Sequence, residues 1–344
     1  MEKMKVAMYY KNDDVRIEEM PIPEINDEEV LVRVIASGIC GSDVMEWYRI
    51  KKAPLVLGHE ISGDIVKVGK KVKKFKVGDR VFVTHHVPCN TCHYCLNDQH
   101  TLCKTLRSTK FYPGGFAQYL RVPEINVDRG TFLLPDEMSY DDGTFIEPLA
   151  CTVRGFRVVD FKPKQTVLVL GSGISGILNI KLAKAMGAKR IIATDIDKYR
   201  LKAAKKFGAD YVIDAKENVS EFVKKYNDGR LADLVILCAG VIPAVKQAIE
   251  SVEPGGTILW FALPKPGDVF PIPLFDLWNK QIKMISTYAG VKKDIVEAIE
   301  LIRSKKVIVE DMMSHKLPME DTPKAFKLTA EAKESMKIII EPQK

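Results

Sequence analysis

From residue 166 onward, the chain alternates short apolar runs with segments of helical periodicity. The runs TVLVLG (166–171) and RIIATD (190–195) are continuously apolar in their centres, as in strands with both faces covered. Between them, SGILNIKLAKAMGA has apolar residues at helical spacing and ends at Gly187. A second such helix, DKYRLKAAKKFGA, ends at Gly208, and YVID, LADLVILCAG and GGTILWFA continue the alternation. This pattern predicts βαβ units and a parallel sheet.

A glycine-rich turn joins the first of these strands to the first helix. Its sequence is Gly171-Ser172-Gly173-Ile174-Ser175-Gly176. The first glycine permits a tight turn, the second lets the backbone approach a pyrophosphate, and the third allows close helix–strand packing. Asp195 ends the next strand, where a carboxylate accepts hydrogen bonds from the adenosine ribose and repels a 2′-phosphate. The turn and Asp195 predict an NAD site; a βαβ unit without ligand is the alternative.

The first 150 residues have a different character. EVLVRVIASGI, ISGDIVKVG, DRVFVTHHV and FAQYLRV are short apolar or alternating runs with turn residues between them. These are strand and hairpin signals. A helix from about Val291 and a strand, KIIIEP, close the chain. With 344 residues and a prior of about 150 residues per domain, we expect two domains.

Four of the seven cysteines lie within fifteen residues, as Cys89, Cys92, Cys95 and Cys103. In a reducing compartment, clustered cysteines favour metal ligands over disulfides. Four thiolates complete a tetrahedral shell, so the segment predicts a structural zinc site. Iron–sulfur ligation and disulfides are the alternatives. His93 and His100 lie within the same segment, where solvent-facing side chains are the better interpretation.

Three further elements are weak when taken singly. They are Cys40 in GICGSD, His59-Glu60 in GHE and Glu147 in IEPLA. A single cysteine or histidine is most often a core residue, and a glutamate before a proline can be a helix cap. Sequence spacing does not show whether they converge.

Charges of both signs are mixed along the chain, and 52 Lys and Arg against 45 Asp and Glu leave a net charge of +7. Residues 67–76 are rich in lysine, which is more typical of a solvated strand–turn surface than of a nucleic-acid contact. The sequence has no apolar run of about 18 residues and no secretory pattern at its start. We therefore expect a cytoplasmic protein with neither nucleic acid nor membrane as partner.

Together these motifs resemble the zinc-dependent medium-chain alcohol dehydrogenases, and within them the polyol (sorbitol or iditol) and threonine dehydrogenase branch. The similarity runs in order from GICGSD and GHE through the cysteines, GGFAQY and IEPLA to GSGISG and Asp195. It implies an α/β protein with a GroES-like β-rich catalytic domain and a Rossmann domain with a doubly wound parallel sheet. The catalytic domain is expected at 1–152 and 289–344, with the zinc lobe at about 86–106, and the NAD-binding domain at 153–288.

The resemblance also assigns roles to single residues. Cys40, His59 and Glu147 match the ligands of a catalytic zinc, and Glu60 matches a carboxylate that approaches the metal; which glutamate contacts it directly is left open. Asp43 matches the carboxylate that orients the ligand histidine, and Ser42 the hydroxyl that passes the substrate's proton toward the nicotinamide ribose. The cofactor-binding positions are Gly171, Gly173, Ile174, Ser175, Gly176 and Asp195. Two zinc ions per chain, one catalytic and one structural, and NAD are the implied cofactors.

One segment departs from the family. Many relatives carry a histidine a few residues after Ser42 that completes a proton relay, whereas this chain reads Val44-Met45-Glu46. Glu46, water, His85 or His86 are the candidate exits for the proton. Aromatic residues at Trp47, Tyr48, Phe111 and Tyr112 fall in segments that line the substrate pocket in relatives, with ordinary packing as the alternative.

The expected reaction is hydride transfer from a secondary alcohol, polyol or sugar-like, to NAD, giving a ketone. L-threonine 3-dehydrogenase activity is the alternative within the family. A catalytically inactive, zinc-stabilised NAD-binding or regulatory protein and a nucleic-acid binder are alternatives from other classes. Relatives form homodimers or homotetramers, and the apolar stretch from Val269 to Trp278 is a candidate interface.

Overall fold

The computed structural model describes residues 2–262 and 264–344. The chain divides into two compact units, Met1–Ala150 with Ala289–Lys344, and Cys151–Tyr288. The first boundary lies two residues before the expected one and the second lies where it was expected. Within the described ranges, no helix has both the length and the apolar character needed to cross a bilayer.

The first unit contains ten strands and the second contains six, among the described residues. Those of the first unit are β1 Lys3–Lys11, β2 Asp14–Pro21, β3 Val30–Gly38, β4 Leu55–Val56, β5 Glu60–Val68, β6 Arg80–Val83, β7 Tyr119–Val122, β8 Thr131–Leu133, β15 Met313–Pro318 and β16 Lys337–Glu341. Those of the second are β9 Thr166–Leu170, β10 Arg190–Asp195, β11 Tyr211–Asp214, β12 Ala232–Leu237, β13 Val252–Trp260 and β14 Lys283–Ser286.

The helices are short in the first unit and longer in the second. The α-helices are α1 Glu46–Arg49, α2 His93–Leu96, α3 Lys104–Ser108, α4 Glu124–Arg129, α5 Tyr140–Gly143, α6 Ile146–Val158, α7 Ile174–Ala185, α8 Lys198–Lys206, α9 Val219–Tyr226, α10 Ile242–Ser251, α11 Leu274–Asn279, α12 Lys292–Arg303 and α13 Thr322–Glu331. Single 3₁₀ turns cover Gly41–Val44, Ile50–Lys52, His100–Leu102, Glu310–Met312 and Met319–Asp321.

The second unit is a parallel sheet with the strand order β11-β10-β9-β12-β13-β14. Every pairing in this sheet is parallel, and the order is that of a Rossmann fold. Strand β9 is completely buried, which explains why its sequence is apolar without alternation. The predicted doubly wound parallel sheet is confirmed.

The first unit is β-rich, with a sheet ordered β15-β16-β3-β5-β6-β8, to which β7 adds on β3, and a smaller sheet β2-β1-β4. The predicted strands around 29–39, 60–69, 79–87 and 116–122 are present as β3, β5, β6 and β7. The hairpin of β1 and β2 was not predicted. The β-rich first unit implied by the resemblance is confirmed.

Pairing in this sheet brings distant segments to one place. Strand β3 pairs with β5 so that Gly38 lies opposite Glu60, and with β16 so that Gly38 lies opposite Ile339. The end of β3, the start of β5 and the start of β16 therefore meet. Cys40 follows β3, His59 precedes β5, and Lys337 opens β16, so the sheet itself assembles the candidate site.

Part of the lysine-rich segment is paired at the surface. Lys71 Nζ lies 2.6 Å from a carboxylate oxygen of Glu28, and Lys74 pairs with Asp128. These side chains are largely exposed, as expected for a solvated strand–turn surface.

Candidate active site

Cys40 begins the 3₁₀ turn that follows β3. Its Sγ accepts hydrogen bonds from the backbone N–H and the hydroxyl of Ser42, both at 3.4 Å. Its own backbone N–H donates to Asp43 Oδ2 at 3.1 Å, which closes the turn reciprocally. The turn therefore aims two donors at the sulfur and fixes the Asp43 carboxylate beneath it.

His59 lies against that carboxylate, with Nδ1 3.4 Å from Asp43 Oδ1. Burial opposes a charge on the imidazole, but the negative charges of Asp43 and then Cys40 raise the pKa of His59 well above its usual value. Burial likewise opposes ionisation of Asp43, yet His59 and Arg49 hold the pKa of this carboxyl below its usual value. The two anionic groups make this a place that favours positive charge.

Two groups of metal-ligand residues adjoin here. The ligand atoms of Cys40, His59 and Glu60 all lie within 4.8 Å of one another. His85, His86 and Glu147 form a second group by the same measure. The rings of His59 and His85 have centroids 4.9 Å apart, so the groups are neighbours. Cys40 and His59 are thus brought together with Glu60, whereas Glu147 lies with two histidines beside them.

Glu60 has a partner of its own. Its carboxylate pairs with Lys337 Nζ, and both side chains are almost completely buried. A Cβ added at Gly38 would come within 2.7 Å of both charged groups, so the glycine leaves room for the pair. The charge of Glu60 is therefore compensated within the protein.

The donor set around Cys40 suits zinc. Zinc binds thiolate sulfur, imidazole nitrogen and carboxylate oxygen at about 2.0–2.3 Å, so two of its ligands lie no more than about 4.5 Å apart. The separations of 4.8 Å or less among Cys40, His59 and Glu60 are close to that limit. The Asp43 carboxylate on the imidazole is the support that a ligand histidine usually has.

The candidate proton exits differ in their surroundings. Glu46 Oε2 accepts the backbone N–H of Asn12 at 2.9 Å. Burial is the main cause that lowers the pKa of His85 well below its usual value and the pKa of His86 to about 3, with His59 contributing in both cases. Both imidazoles are therefore neutral near pH 7.

The four aromatic residues proposed to line the substrate pocket differ in burial and in contacts. Phe111 is buried and meets the ring of His85 edge-on at 6.3 Å. Trp47 and Tyr48 contact each other with ring centroids 5.8 Å apart, while Tyr112 is exposed. Phe111 is the aromatic residue that borders the second group of ligands.

The cysteine lobe (residues 86–106) brings its four sulfurs together. Cys89 lies 3.9 Å from Cys95 and 3.6 Å from Cys103, and Cys92 lies 3.6 Å from Cys95, measured between sulfurs. A tetrahedral zinc with bonds of about 2.3 Å separates its sulfurs by about 3.8 Å, whereas a disulfide requires about 2.05 Å. The lobe fits one tetrahedral ion, and all four cysteines are free thiols.

Backbone groups support these sulfurs. The N–H groups of Thr91 and Cys92 donate to Cys89 Sγ at 3.5 and 3.3 Å, and the N–H of Cys89 donates to Cys103 Sγ at 3.4 Å. Hydrogen bonds, first from Thr91, lower the pKa of Cys89 to about 5, whereas burial raises that of Cys95 to about 12. His93 and His100 contact Asn97 and Asp98 and do not belong to the sulfur group.

The predicted nucleotide turn in the second unit has the expected local geometry. Gly171 has φ +97°, a conformation that favours glycine. A Cβ at Gly176 would lie 2.0 Å from the carbonyl oxygen of Gly171, so only glycine allows this approach of helix and strand. Beside Gly173 the nearest atom to an added Cβ is at 3.5 Å and belongs to Arg200. The backbone at Gly173 is open to a ligand.

Asp195 lies at the end of β10 and is tied to this turn. Oδ2 accepts the N–H of Ser172 at 2.8 Å, and Oδ1 accepts the N–H of Asp197 at 3.0 Å. Nε of Arg200 is buried and has no hydrogen-bond partner among the described residues. A carboxylate and a guanidinium thus flank the glycine-rich turn.

Two family models and several known proteins match this chain. Residues 26–131 match the alcohol dehydrogenase GroES-like domain, and residues 175–304 match the zinc-binding dehydrogenase domain. The chain is 32% identical to a sorbitol dehydrogenase from Bacillus subtilis, over 100% of this chain and 98% of the relative.

The chain belongs to the zinc-dependent medium-chain dehydrogenases.

Two further similar proteins are also oxidoreductases. A probable D-xylulose reductase A from Aspergillus fumigatus is 36% identical over 91% of this chain and 90% of the relative. The crystal structure of a zinc-binding dehydrogenase from Sinorhizobium meliloti, bound to NADP, superposes with a TM-score of 0.89 at 26% identity, covering 99% of this chain and 100% of that one. Two of these three relatives are named for sorbitol and D-xylulose, and the third is bound to NADP.

Three residues at the candidate sites of this medium-chain dehydrogenase were not predicted from the sequence. Arg49 donates to the Ser42 hydroxyl at 3.0 Å, Lys337 pairs with Glu60, and Arg200 lies beside Gly173. A basic residue five positions after the strand-end acid was a local signal for Arg200. Arg49 and Lys337 had no comparable signal, because basic residues are common throughout the chain.

Proposed function

We propose that the protein oxidises a secondary alcohol of a polyol or sugar-like substrate to a ketone, with NAD as the hydride acceptor. The observation that carries this proposal is the thiol of Cys40 and the imidazole of His59, held within 4.8 Å of each other and backed by Asp43. When bound, zinc supplies a Lewis acid that acidifies the substrate's hydroxyl, and the nicotinamide supplies the acceptor for hydride.

Cys40, His59 and Glu147 are the proposed ligands of the catalytic zinc. Glu147 is favoured over Glu60 as the third ligand because Lys337 already compensates the charge of Glu60. Asp43 orients His59, and the four cysteines of the lobe hold a second, structural zinc. We expect two zinc ions per chain by elemental analysis. A chain with one ion would favour the inactive, zinc-stabilised alternative.

Ser42 is the residue proposed to receive the proton of the substrate's hydroxyl. Its Oγ lies 3.4 Å from Cys40 Sγ, so the hydroxyl borders any ligand held by that sulfur. A serine hydroxyl both accepts and donates, and it can pass a proton on without changing its own charge. The same residue accepts a hydrogen bond from Arg49 at 3.0 Å.

NAD is proposed over NADP because of Asp195. Its carboxylate is held at the turn by two backbone N–H groups, where it would accept from ribose hydroxyls and repel a 2′-phosphate. Arg200 is the group that would favour NADP, and the S. meliloti relative is bound to NADP. Dissociation constants for both nucleotides decide this point. Asp195→Ala should weaken NAD binding by about tenfold or more and relax discrimination against NADP.

The substrate class follows from the relatives named for sorbitol and D-xylulose. The test is a panel of polyols, sugars and L-threonine with NAD, followed by the absorbance of the reduced nicotinamide. Oxidation of polyols with the highest kcat/KM supports the proposal. Preference for L-threonine would replace it by the threonine 3-dehydrogenase alternative, and a protein with two zinc ions that oxidises none of these would overturn it.

We further propose that the protein is a homodimer or homotetramer. Strand β14 lies at the edge of the second unit's sheet, and the neighbouring segment exposes large apolar side chains at Val269, Leu274, Phe275 and Trp278. Exposed apolar patches of this kind mark interfaces. Light scattering coupled to size exclusion tests this, and Trp278→Glu should shift the protein toward monomer.

The proposed compartment is the cytoplasm. It is favoured by the chemistry of the seven cysteines, all free thiols, four of which suit a metal only when reduced. Cell fractionation with an antibody tests it.

A further inference from the structure

Arg49 joins two residues of the candidate active site. Its Nη2 donates to Ser42 Oγ at 3.0 Å and lies 3.4 Å from Asp43 Oδ1. Its Nε donates to the backbone carbonyl oxygen of Ser42 at 2.9 Å. One guanidinium therefore spans the hydroxyl, the carbonyl and the adjacent carboxylate.

The position of Arg49 is well defined. The residue ends helix α1, and its side chain is 15% exposed. Its guanidinium lies 4.8 Å from the ring centroid of Tyr48, which covers it. A long side chain held by three polar contacts and an aromatic face has given up most of its freedom, so it can hold its neighbours in place.

We propose that Arg49 is a positioning residue that holds the proton-accepting hydroxyl of Ser42 and the His59-orienting carboxylate of Asp43 in one fixed arrangement. The inference rests on the proposed function only for the role of Ser42. The hydrogen bond from Arg49 occupies one lone pair of Oγ, the hydroxyl proton is directed at Cys40 Sγ, and the second lone pair remains to accept a proton. The contact on Asp43 holds the carboxylate against His59.

Arg49 does not replace the histidine that many relatives carry. A guanidinium has only donors and keeps its charge in proteins, so it cannot receive a proton from Ser42. Its charge instead lies beside the carboxylate of Asp43 and offsets part of the negative charge of that group. A lysine could supply the charge but not the planar pair of donors that reaches both residues.

The experiment compares Arg49→Met and Arg49→Lys with a matched control, Arg80→Met. Arg80 also donates to a backbone carbonyl, of Met138 at 2.6 Å, and also lies over a tyrosine ring, 4.6 Å from the centroid of Tyr140. Each zinc-loaded protein is assayed for kcat and KM, for NAD dissociation, for melting temperature and for zinc affinity by competition with a chelator.

We expect Arg49→Met to lower the affinity of the catalytic zinc by about 10- to 100-fold, as for other supports of ligand residues. It should also lower kcat more than it changes the KM of the alcohol, with NAD binding unchanged. Arg49→Lys should recover part of kcat, and added methylguanidinium should raise the kcat of Arg49→Met. Arg80→Met should keep kcat and zinc affinity at the unsubstituted level.

Three outcomes overturn the proposal. Zinc affinity and kcat in Arg49→Met could equal those of Arg80→Met. NAD binding alone could weaken, which would make Arg49 a cofactor contact. Both kcat and zinc affinity could fall in proportion to a lower melting temperature without rescue by methylguanidinium, which would make its role general stability. If no alcohol is oxidised but zinc affinity falls selectively in Arg49→Met, the positioning of Asp43 stands and the proposed function fails.

Discussion

The cysteine lobe and the Cys40–His59 site hold metal-ligand residues in opposite ways. The lobe takes four identical donors from fifteen consecutive residues and supports them by its own backbone N–H groups. The candidate active site takes a sulfur and an imidazole from the ends of two strands, and charged side chains support it in addition to the Ser42 donors on the sulfur. A closed shell needs only a local loop, whereas an open site that binds substrate depends on the surrounding protein.

The largest expected contrast is in activity. Cys40→Ser removes the proposed sulfur ligand of the catalytic zinc, whose Lewis acidity would supply several kcal/mol of transition-state stabilisation. We expect kcat/KM for the best polyol to fall by about 1000-fold or more, while the melting temperature stays near its original value. Near-normal turnover would contradict the zinc mechanism. Elemental analysis should still find the ion of the lobe.

The complementary substitution is Cys92→Ser, which opens the closed shell. Because binding of a structural zinc contributes directly to folding, we expect a loss of about 3 kcal/mol or more, equivalent to a melting temperature lower by about 6–12 °C. Activity at low temperature should remain. Cys151→Ser, outside both ligand groups, is the control. Equal melting temperatures for both variants would show that the lobe carries no structural ion.

A third test concerns the distant supports of the active site. Lys337→Met leaves the buried carboxylate of Glu60 without a partner and should cost about 3–5 kcal/mol in urea unfolding. The double variant Glu60→Gln with Lys337→Met should recover most of that loss, since no charge remains buried. Lys3→Met removes an exposed pair with Glu19 and should cost less than about 1 kcal/mol. Additive losses in the double variant would argue against a coupled pair.

The smallest expected effect concerns the ionisation of Tyr9, whose pKa depends on charged residues near the candidate active site. Burial, followed by the negative charge of Glu46, raises the pKa of Tyr9 to about 12, while Arg49 opposes the shift. The folded protein therefore keeps this proton when the unfolded chain loses it near pH 10. Stability falls between about pH 10 and 12, by about 1.4 kcal/mol per pH unit.

Tyr9→Phe isolates this contribution. At pH 8 the variant should be about 1 kcal/mol less stable, because the hydrogen bond to Asn12 Oδ1 is lost. By pH 11 the unsubstituted protein should have lost about 1.4 kcal/mol that the variant keeps, since the variant has no phenol to ionise, so the difference should reach zero and slightly change sign. Urea unfolding at several pH values measures it. A difference that stays constant with pH would contradict the raised pKa.

The sequence predicted what is encoded locally. The strand–helix alternation from Thr166 to Trp260, the glycine turn and the strand-end Asp195 all carry their signal within a few residues of each other, as do the four cysteines. In these segments periodicity or spacing is itself the physical cause of the structure. The hairpin of β1 and β2 was missed although Lys3–Val6 alternates charged, exposed residues with apolar, buried ones, which is itself a strand signal.

What could not be predicted depends on pairing between distant strands. No feature near Glu60 indicates that its partner is Lys337, because the β3–β5 and β3–β16 pairings together bring them to one place. The placement of Glu147 beside His85 and His86 likewise follows from packing rather than from spacing. Arg49 is close in sequence to Ser42, but only the turn geometry directs its side chain back to that hydroxyl.

The sequence separation of 277 positions between Glu60 and Lys337 also bears on how the protein is made. At about 5–20 residues per second, a ribosome needs roughly 14–55 s to add the lysine after the glutamate has been translated. In that interval the intervening nucleotide-binding unit can fold, while the sheet of the first unit still lacks β16. Newly made chains should therefore pass through a stage in which one half is native and the other awaits its closing strand, with consequences for chaperone demand during expression.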